Sequence, residues 1–134
     1  MDFVPNLNIL KVSDLLQVIS PQTRLEIILA IGTGEACVCH LEAVLKLRQA
    51  YISQHLMALR EAGVITARRE GRYVFYRLEN SAVLELVRQA VRLAGQSPEE
   101  LASAQRAAAQ GCNCPNCAPV AEAETAQTCS GQNA

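Results

Sequence analysis

Residues 48–77 read RQAYISQHLMALREAGVITARREGRYVFYR, and this stretch decides the fold. Its first half predicts a helix, because Ile52, Leu56 and Leu59 recur at the steps of four and three that place apolar side chains on one helix face. Gly63 is the residue type that commonly ends a helix in a left-handed conformation. The pattern therefore predicts a short helix that packs one face on a core and then stops.

The second half of the stretch predicts a β-hairpin with a basic tip. Residues 64–68 and 73–77 are rich in β-prone side chains, and residues 70–72 join them. Between Lys46 and Arg77, seven cations stand against two anions, a net +5 in a chain whose formal charge is −1. Such a cationic island indicates a surface for phosphate. The alternative is a solvated helix beside an ordinary charged hairpin.

Composition predicts one globular domain and a tail. The chain has 134 residues, of which 50% are hydrophobic, enough for a packed core. We expect a DNA-binding and dimerisation domain at residues 1–96, a C-terminal helix at 97–110 and a flexible cysteine-rich tail at 111–134. That tail has no Lys, Arg, Leu, Ile, Phe or Tyr, so it cannot build a core of its own.

Membrane-spanning and targeting patterns in the sequence also indicate the cellular compartment. No window resembles a membrane span, and the amino terminus lacks the pattern of a signal peptide. We therefore expect a cytoplasmic protein without a membrane partner, whose six cysteines are kept reduced. Clustered cysteines in that setting indicate metal or redox chemistry before structural disulfides.

The predicted element order is α-α-α-α-β-β-α plus the tail, a mainly α fold with a small β-hairpin (α+β) in a winged helix-turn-helix arrangement. Residues 7–19 predict the first helix, and Ser20 as N-cap with Pro21 at the first position predicts a second helix ending near Ile31. The core-facing residues expected on the second and third helices are Leu25, Ile28, Leu29, Leu41, Val44 and Leu45.

Beyond the hairpin, Asn80 or Ser81 should cap a helix that ends near Ala94. This helix and the first one carry more apolar surface than one small domain needs. We expect them to form the seam of a homodimer, which also suits reading of two DNA half-sites. The alternative is that both helices only cover the core.

Double-stranded operator DNA is the predicted partner of the helix and hairpin. The expected DNA-contacting residues are Gln49, Tyr51, Ser53, Gln54, His55, Arg69 and Arg72. Tyr51 could instead lie half-buried against the hairpin, and a metal role for His55 is the less favoured alternative. Arg48 is a poor N-cap, so the helix should start without a side-chain cap.

Cys37 and Cys39 are candidate metal ligands, because soft thiolates select thiophilic ions. Two positions along a regular helix turn by about 200°, so both thiols reach one ion only if Cys37 precedes the helix or if binding unwinds its first turn. The tail could add further thiolates from the run Cys112, Cys114 and Cys117. The alternatives are buried small hydrophobic residues for the first pair and an unused remnant for the tail.

The sequence resembles the ArsR/SmtB family of metal-sensing winged-helix repressors over roughly residues 10–95. The resemblance is carried by EACVCHL at residues 35–41, similar to the family's ELCVCDL box, by ISQHL and LREAG at residues 52–56 and 59–63, and by the wing at residues 69–78. It implies a dimer that binds operator DNA and releases it when a toxic metal or metalloid binds.

Three positions depart from the family pattern. Glu42 stands where some arsenite sensors have a third cysteine, and His40 replaces the aspartate of the box. Residues 80–83 lack the Asp-x-His pair of the family's zinc sensors, so a zinc site is not expected there. Any metal site should instead be built from thiols.

These observations predict a repressor induced by As(III), Cd(II) or Pb(II), with no organic cofactor. The alternative is a redox or reactive-sulfur sensor that switches by a disulfide between Cys37 or Cys39 and the tail. No catalytic base, nucleotide-binding loop or Ser/His/Asp arrangement favours an enzyme.

Overall fold

Six helices and three short strands form the part of the chain that the structure, a computed structural model, describes: residues 8–108. Their bounds are α1 (Ile9–Ile19), α2 (Gln22–Ile31), β1 (Ala36–Cys37), α3 (Val38–Leu45), α4 (Gln49–Glu61), β2 (Ile65–Glu70), β3 (Tyr73–Leu78), α5 (Ala82–Leu93) and α6 (Pro98–Ala108). The predicted winged helix-turn-helix order is confirmed, with one added strand. The tail at 111–134 lies outside the described residues.

The helix-turn-helix consists of α3, a three-residue turn and α4. Lys46 begins the turn in the left-handed region, with φ 61°, and its backbone N–H donates to the carbonyl of Glu42 at 2.8 Å. Arg48 has an extended backbone and no side-chain cap bond, as the sequence predicts. Gly63 ends the helix at φ 80°, also as predicted. The turn therefore fixes the direction of α4 relative to α3.

The wing is a three-stranded antiparallel sheet in the order β1-β3-β2. Strands β2 and β3 form the predicted hairpin, with Gly71 and Arg72 between them. Strand β1 is a correction to the predicted order, because it pairs with β3 through Ala36 and Cys37. Two residues are too few to show a period-2 pattern, and their strand conformation depends on pairing with the neighbouring strand.

The core lies where the helices meet the base of the sheet. Ile52, Leu56 and Leu59 are buried, which confirms the predicted stripe on α4. On α2 the prediction is partly wrong, since Leu25 and Leu29 are only partly buried. Contacts from α3, α4 and α5 surround α2 on several sides, so its deepest residues are Ile27, Ile28 and Ile31.

Two helix starts differ in how they are capped. Ser20 does not cap α2, because the helix begins at Gln22 and Pro21 occupies the cap position without a side-chain bond. The Ser20 hydroxyl instead donates to the carbonyl of Gln17 at 3.5 Å. At α5, the Asn80 side-chain oxygen accepts from the backbone N–H of Ala82 at 2.9 Å, so Asn80 supplies that cap.

The first and fifth helices leave apolar side chains outside the core. On α1, Ile9, Leu10, Val12 and Leu16 are exposed, and on α5 so are Leu86 and Leu93. The terminal helix α6 packs against α2 and α3, and the Gln105 side chain donates to the carbonyl of Glu26 at 3.1 Å.

Candidate nucleic-acid interface and thiol site

The exposed side of α4 carries a mixed polar and apolar surface. Gln54 is exposed, Tyr51 is 46% exposed and Met57 is 60% exposed. Met57 follows Gln54 by three positions, so the two side chains share one face of the helix. Met57 was not among the predicted DNA-contacting residues. Its position three residues after Gln54 was the available signal.

A polar groove of about 370 Å³ separates α4 from the wing. It brings together three of the predicted DNA-contacting residues, Gln49 and Ser53 from the helix and Arg69 from β2. Arg60 and Tyr76 line the same groove, although neither was predicted as a site residue. The groove therefore offers two guanidinium groups and several hydrogen-bonding groups to one ligand surface.

His55 and Tyr51 form a second group on α4. Their rings meet edge-on, with centroids 4.7 Å apart. The Nδ1 atom of His55 accepts a hydrogen bond from Nε of Arg24 at 3.0 Å, and Nη1 of Arg24 also donates to the carbonyl of Val18. Burial, and then the positive charge of Arg24, lower the pKa of His55 below its ordinary value. His55 is therefore a half-buried neutral acceptor that joins α4 to α2.

The arginines of the wing differ in their partners. Arg68 forms ion pairs with Glu35 and Glu70, both at 2.6 Å. These hydrogen-bonded carboxylates raise the pKa of the Arg68 guanidinium. Arg72 is exposed at the turn of the hairpin, and Arg69 reaches the carbonyl of Gly71 at 3.5 Å. The charges of Arg69 and Arg72 are thus better placed for phosphate than that of Arg68.

Cys37 and Cys39 lie together at the start of α3. Cys37 occupies the cap position in an extended conformation, φ −90° and ψ 170°, and the helix begins at Val38. The Sγ atoms of Cys37 and Cys39 are 3.0 Å apart. The first of the two predicted geometries, with Cys37 before the helix, is therefore the one that the structure has.

The surroundings of the two sulfur atoms differ. Cys37 is fully buried against Phe75, whereas Cys39 is partly buried and packs against the same small cluster with Tyr73. Cys39 takes part in a disulfide, and its Sγ atom lies in contact with that of Cys37.

In the reduced state, Cys37 and Cys39 would supply only part of a metal site. Among residues 8–108, no group of three or more Cys, His, Asp or Glu side chains is placed to hold a metal ion. Tetrahedral ligation at about 2.3 Å needs sulfur atoms about 3.8 Å apart, so the reduced pair would open slightly around an ion. The predicted ligands Cys112, Cys114 and Cys117 lie outside the described residues.

Glu42, which stands in the place of a third cysteine, connects the two helices of the helix-turn-helix. Its carboxylate receives a hydrogen bond from the backbone N–H of Gln49, the first residue of α4. Burial raises the pKa of Glu42, and this hydrogen bond opposes the rise. Glu42 therefore contacts the start of α4 from α3, which only the packing reveals.

Within residues 8–108, no helix has the length and apolar character needed to cross a bilayer.

Comparison with known proteins places this geometry in a family. The chain is 37% identical over 83 residues to the HTH-type transcriptional repressor SmtB of Mycobacterium tuberculosis, which covers 62% of each chain. It is 43% identical over 65 residues to the arsenical resistance operon repressor of Escherichia coli, covering 48% of this chain and 56% of that one. The match thus spans less than two thirds of these two relatives.

Other matches cover more of the related protein. The biofilm growth-associated repressor of Agrobacterium fabrum is 38% identical over 90 residues, which are 67% of this chain and 76% of that repressor. The structure of HlyU from Vibrio cholerae superposes with a TM-score of 0.62 at 33% identity, covering 68% of this chain and 99% of HlyU. The family model of the bacterial regulatory proteins of the arsR type matches residues 21–67. The chain therefore belongs to the ArsR family of winged helix-turn-helix transcriptional regulators.

Proposed function

We propose that this protein is a transcriptional repressor that binds operator DNA as a homodimer and releases it when As(III), Cd(II) or Pb(II) binds its cysteine thiolates. The observation that carries the proposal is the contact between Cys37 and Cys39 at 3.0 Å, at the start of the helix that precedes α4. Relatives named as an arsenical resistance operon repressor and a repressor SmtB support the same reading.

Operator binding is proposed for the surface formed by α4 and the wing. The N-terminal residues of α4 would read base edges in the major groove, and the wing arginines would contact phosphate. The polar groove with Gln49, Ser53 and Arg69 supports this reading, because it combines hydrogen-bonding groups with positive charge. Gln54 supplies an exposed amide suited to a base edge.

A homodimer is proposed because α1 and α5 expose apolar side chains. Leu10 is 69% exposed and Leu93 is 89% exposed. Burying a leucine side chain stabilises an interface by about 1.5–3 kcal/mol. A second copy of the chain would cover both helices and would present two α4 helices to two half-sites of DNA.

Ligation of a thiophilic ion needs more sulfur than the described residues supply. The tail offers Cys112, Cys114 and Cys117, and α6, which ends at Ala108, packs against α3. Cys112 is four positions after Ala108, a reach of at most about 14 Å for extended chain. We propose that tail thiolates join Cys37 and Cys39 from the same or the partner subunit.

The energy required for release is available from such a site. Moving a dimer from mostly bound to mostly released needs about 10⁴-fold differential affinity, roughly 5.5 kcal/mol. The binding free energy of an ion held by three or four thiolates is on the order of 10 kcal/mol or more, by analogy with structural zinc. About half of that energy would have to be coupled to DNA release.

A second candidate function is redox or reactive-sulfur sensing by the same cysteines. The disulfide state of Cys39, whose sulfur lies 3.0 Å from that of Cys37, favours it. Oxidation would then release the operator without any metal, and a reductant would restore binding.

Both candidates are tested on the fully reduced full-length protein. An operator duplex is first selected by the protein from a random-sequence pool, and its affinity is measured by fluorescence anisotropy. As(III), Cd(II), Pb(II) and Zn(II) are then titrated, with thiolate-to-metal absorbance reporting ligation. Metal-dependent release supports the metal sensor. Release by diamide that dithiothreitol reverses, without a response to the ions, supports the redox sensor, and indifference to both overturns the thiol switch.

A further inference from the structure

The segment that contains Cys37 and Cys39 leads into α3 and also pairs with β3 of the wing. Cys37 in β1 lies opposite Phe75 in β3, and Phe75 lies opposite Arg68 in β2. Residues directly opposite each other in a sheet project to the same face. Cys37, Phe75 and Arg68 therefore form one row across all three strands of the wing.

Side-chain contacts connect this row from end to end. Cys37 and Phe75 are both buried and form a small cluster of their own. The guanidinium carbon of Arg68 lies 4.9 Å from the centroid of the Phe75 ring, within the range of a cation–π contact. A change in the position of the Cys37 sulfur must therefore be met by Phe75, because close-packed side chains do not absorb displacements freely.

Glu35 links Arg68, at the end of this row, to the segment that contains the two cysteines. It stands two residues before Cys37, and its two carboxylate oxygens accept from Nε and Nη2 of Arg68 at 3.0 and 2.6 Å. This paired arrangement fixes the orientation of the guanidinium as well as its distance. The hydrogen bond to Arg68 lowers the pKa of Glu35, with burial opposing.

We infer that the Glu35–Arg68 ion pair transmits the state of the Cys37–Cys39 segment to β2, the strand of the wing that does not pair with β1. Glu35 and Arg68 act as positioning residues, and the inference rests on the proposed thiol switch. Ligation or oxidation at Cys39 shifts the short strand β1. The bidentate ion pair between Glu35 and Arg68 carries that shift to β2. The wing then changes its angle to DNA. Release then has two routes, through α3 to α4 and through β1 to the wing.

Glu70 provides a matched control for this inference. It also pairs with Arg68 at 2.6 Å, but it lies on β2 itself, opposite Tyr73, and not on the segment that leads into β1. Glu35→Ala and Glu70→Ala each remove one carboxylate from Arg68 and change the net charge equally. Only Glu35→Ala removes the ion pair between β2 and the segment that leads into β1, while the pairing of β1 with β3 remains.

The test compares operator affinity of the wild type and both variants with and without Cd(II), after thermal melts show that all three are folded. Without Cd(II), the two variants should bind the operator with equal affinity, because their charge change is the same. We expect the Cd(II)-induced loss of affinity to shrink about tenfold in Glu35→Ala and to be retained in Glu70→Ala, a change within the usual range of coupling between sites. Equal release by the two variants overturns the inference.

Hydrogen exchange separates this inference from the proposed function. Backbone amides of β2 and β3 are followed in the DNA-free protein on adding Cd(II). A change in their exchange in wild type and Glu70→Ala, but not in Glu35→Ala, supports the link even if the operator is never released. No change in the wild-type wing, or the same change in all three proteins, overturns the link whatever the DNA result.

Discussion

Nδ1 of His55 on α4 accepts a hydrogen bond from Nε of Arg24 on α2 at 3.0 Å, across 31 positions of sequence. The bond requires the neutral imidazole, since a protonated ring would place an N–H against the N–H of Arg24. Tyr51 packs edge-on against the same ring. The orientation of α4 is thus tied to the protonation of the His55 side chain.

This contact predicts a pH dependence of stability. Because the pKa of His55 is lowered in the folded protein, the unfolded chain binds the proton first as pH falls below about 6.5. The stabilising contribution of the contact is therefore complete above that pH and is lost as pH falls through the folded pKa. Urea unfolding between pH 5 and 8 should show this loss in wild type and a smaller one in His55→Gln. Parallel profiles for the two proteins would contradict it.

Cys37 and Cys39 are predicted to be required for the response to metal but not for binding to the operator. Cys37→Ser and Cys39→Ser should each bind the operator within about threefold of wild type, because neither sulfur lies on the surface formed by α4 and the wing. Each variant should lose the release caused by Cd(II) or As(III), measured by anisotropy. Cys129→Ser is the control, expected to respond as wild type does. Retained release in both of the first two variants would exclude this pair as ligands.

Deleting residues 111–134 tests the contribution of the tail. The truncated protein keeps α6 and the whole described domain, so its operator affinity should be unchanged. Its affinity for Cd(II) should fall at least about tenfold, the change expected when ligands are lost from a site that needs three or four. The measurement is a competitive titration read by thiolate-to-metal absorbance, and superimposable titrations would show that the tail donates no ligand.

The ion pairs of the wing arginines predict which of their charges contribute to DNA affinity. Arg72→Ala should reduce the slope of log affinity against log salt by about 0.9, the value for one phosphate contact. Arg68→Ala should change it less, because Glu35 and Glu70 already balance that charge. Gln54→Ala should instead alter the preferred base sequence. A larger change of this slope in Arg68→Ala than in Arg72→Ala would contradict the prediction.

The exposed leucines predict the dimer seam. Leu93→Glu should weaken self-association at least about 100-fold, since it removes an apolar contact worth 1.5–3 kcal/mol and places a charge in the seam. Sedimentation across a range of concentrations measures the effect. Gln96→Glu, an exposed position just after α5, is the control and should leave association unchanged. Wild-type association of Leu93→Glu would remove α5 from the interface.

Local patterns in the sequence determined the elements that lie around the site. The stripe of Ile52, Leu56 and Leu59 and the stop at Gly63 depend on helical periodicity and backbone preference, which are written within a few residues. The hairpin followed in the same way from two β-prone runs and the short connection at residues 70–72, of which only Gly71 and Arg72 lie outside the strands. The family resemblance of the same segment added what such a unit is used for.

Only the tertiary structure decided how the site is joined together. The two-residue strand β1, the bond between Arg24 and His55 and the ion pair between Glu35 and Arg68 link segments more than 30 positions apart. No local period records such pairs, because packing of the helices and closure of the sheet bring them into contact. The same packing makes Cys37 extended and places its sulfur beside that of Cys39, where sequence spacing alone left two geometries open.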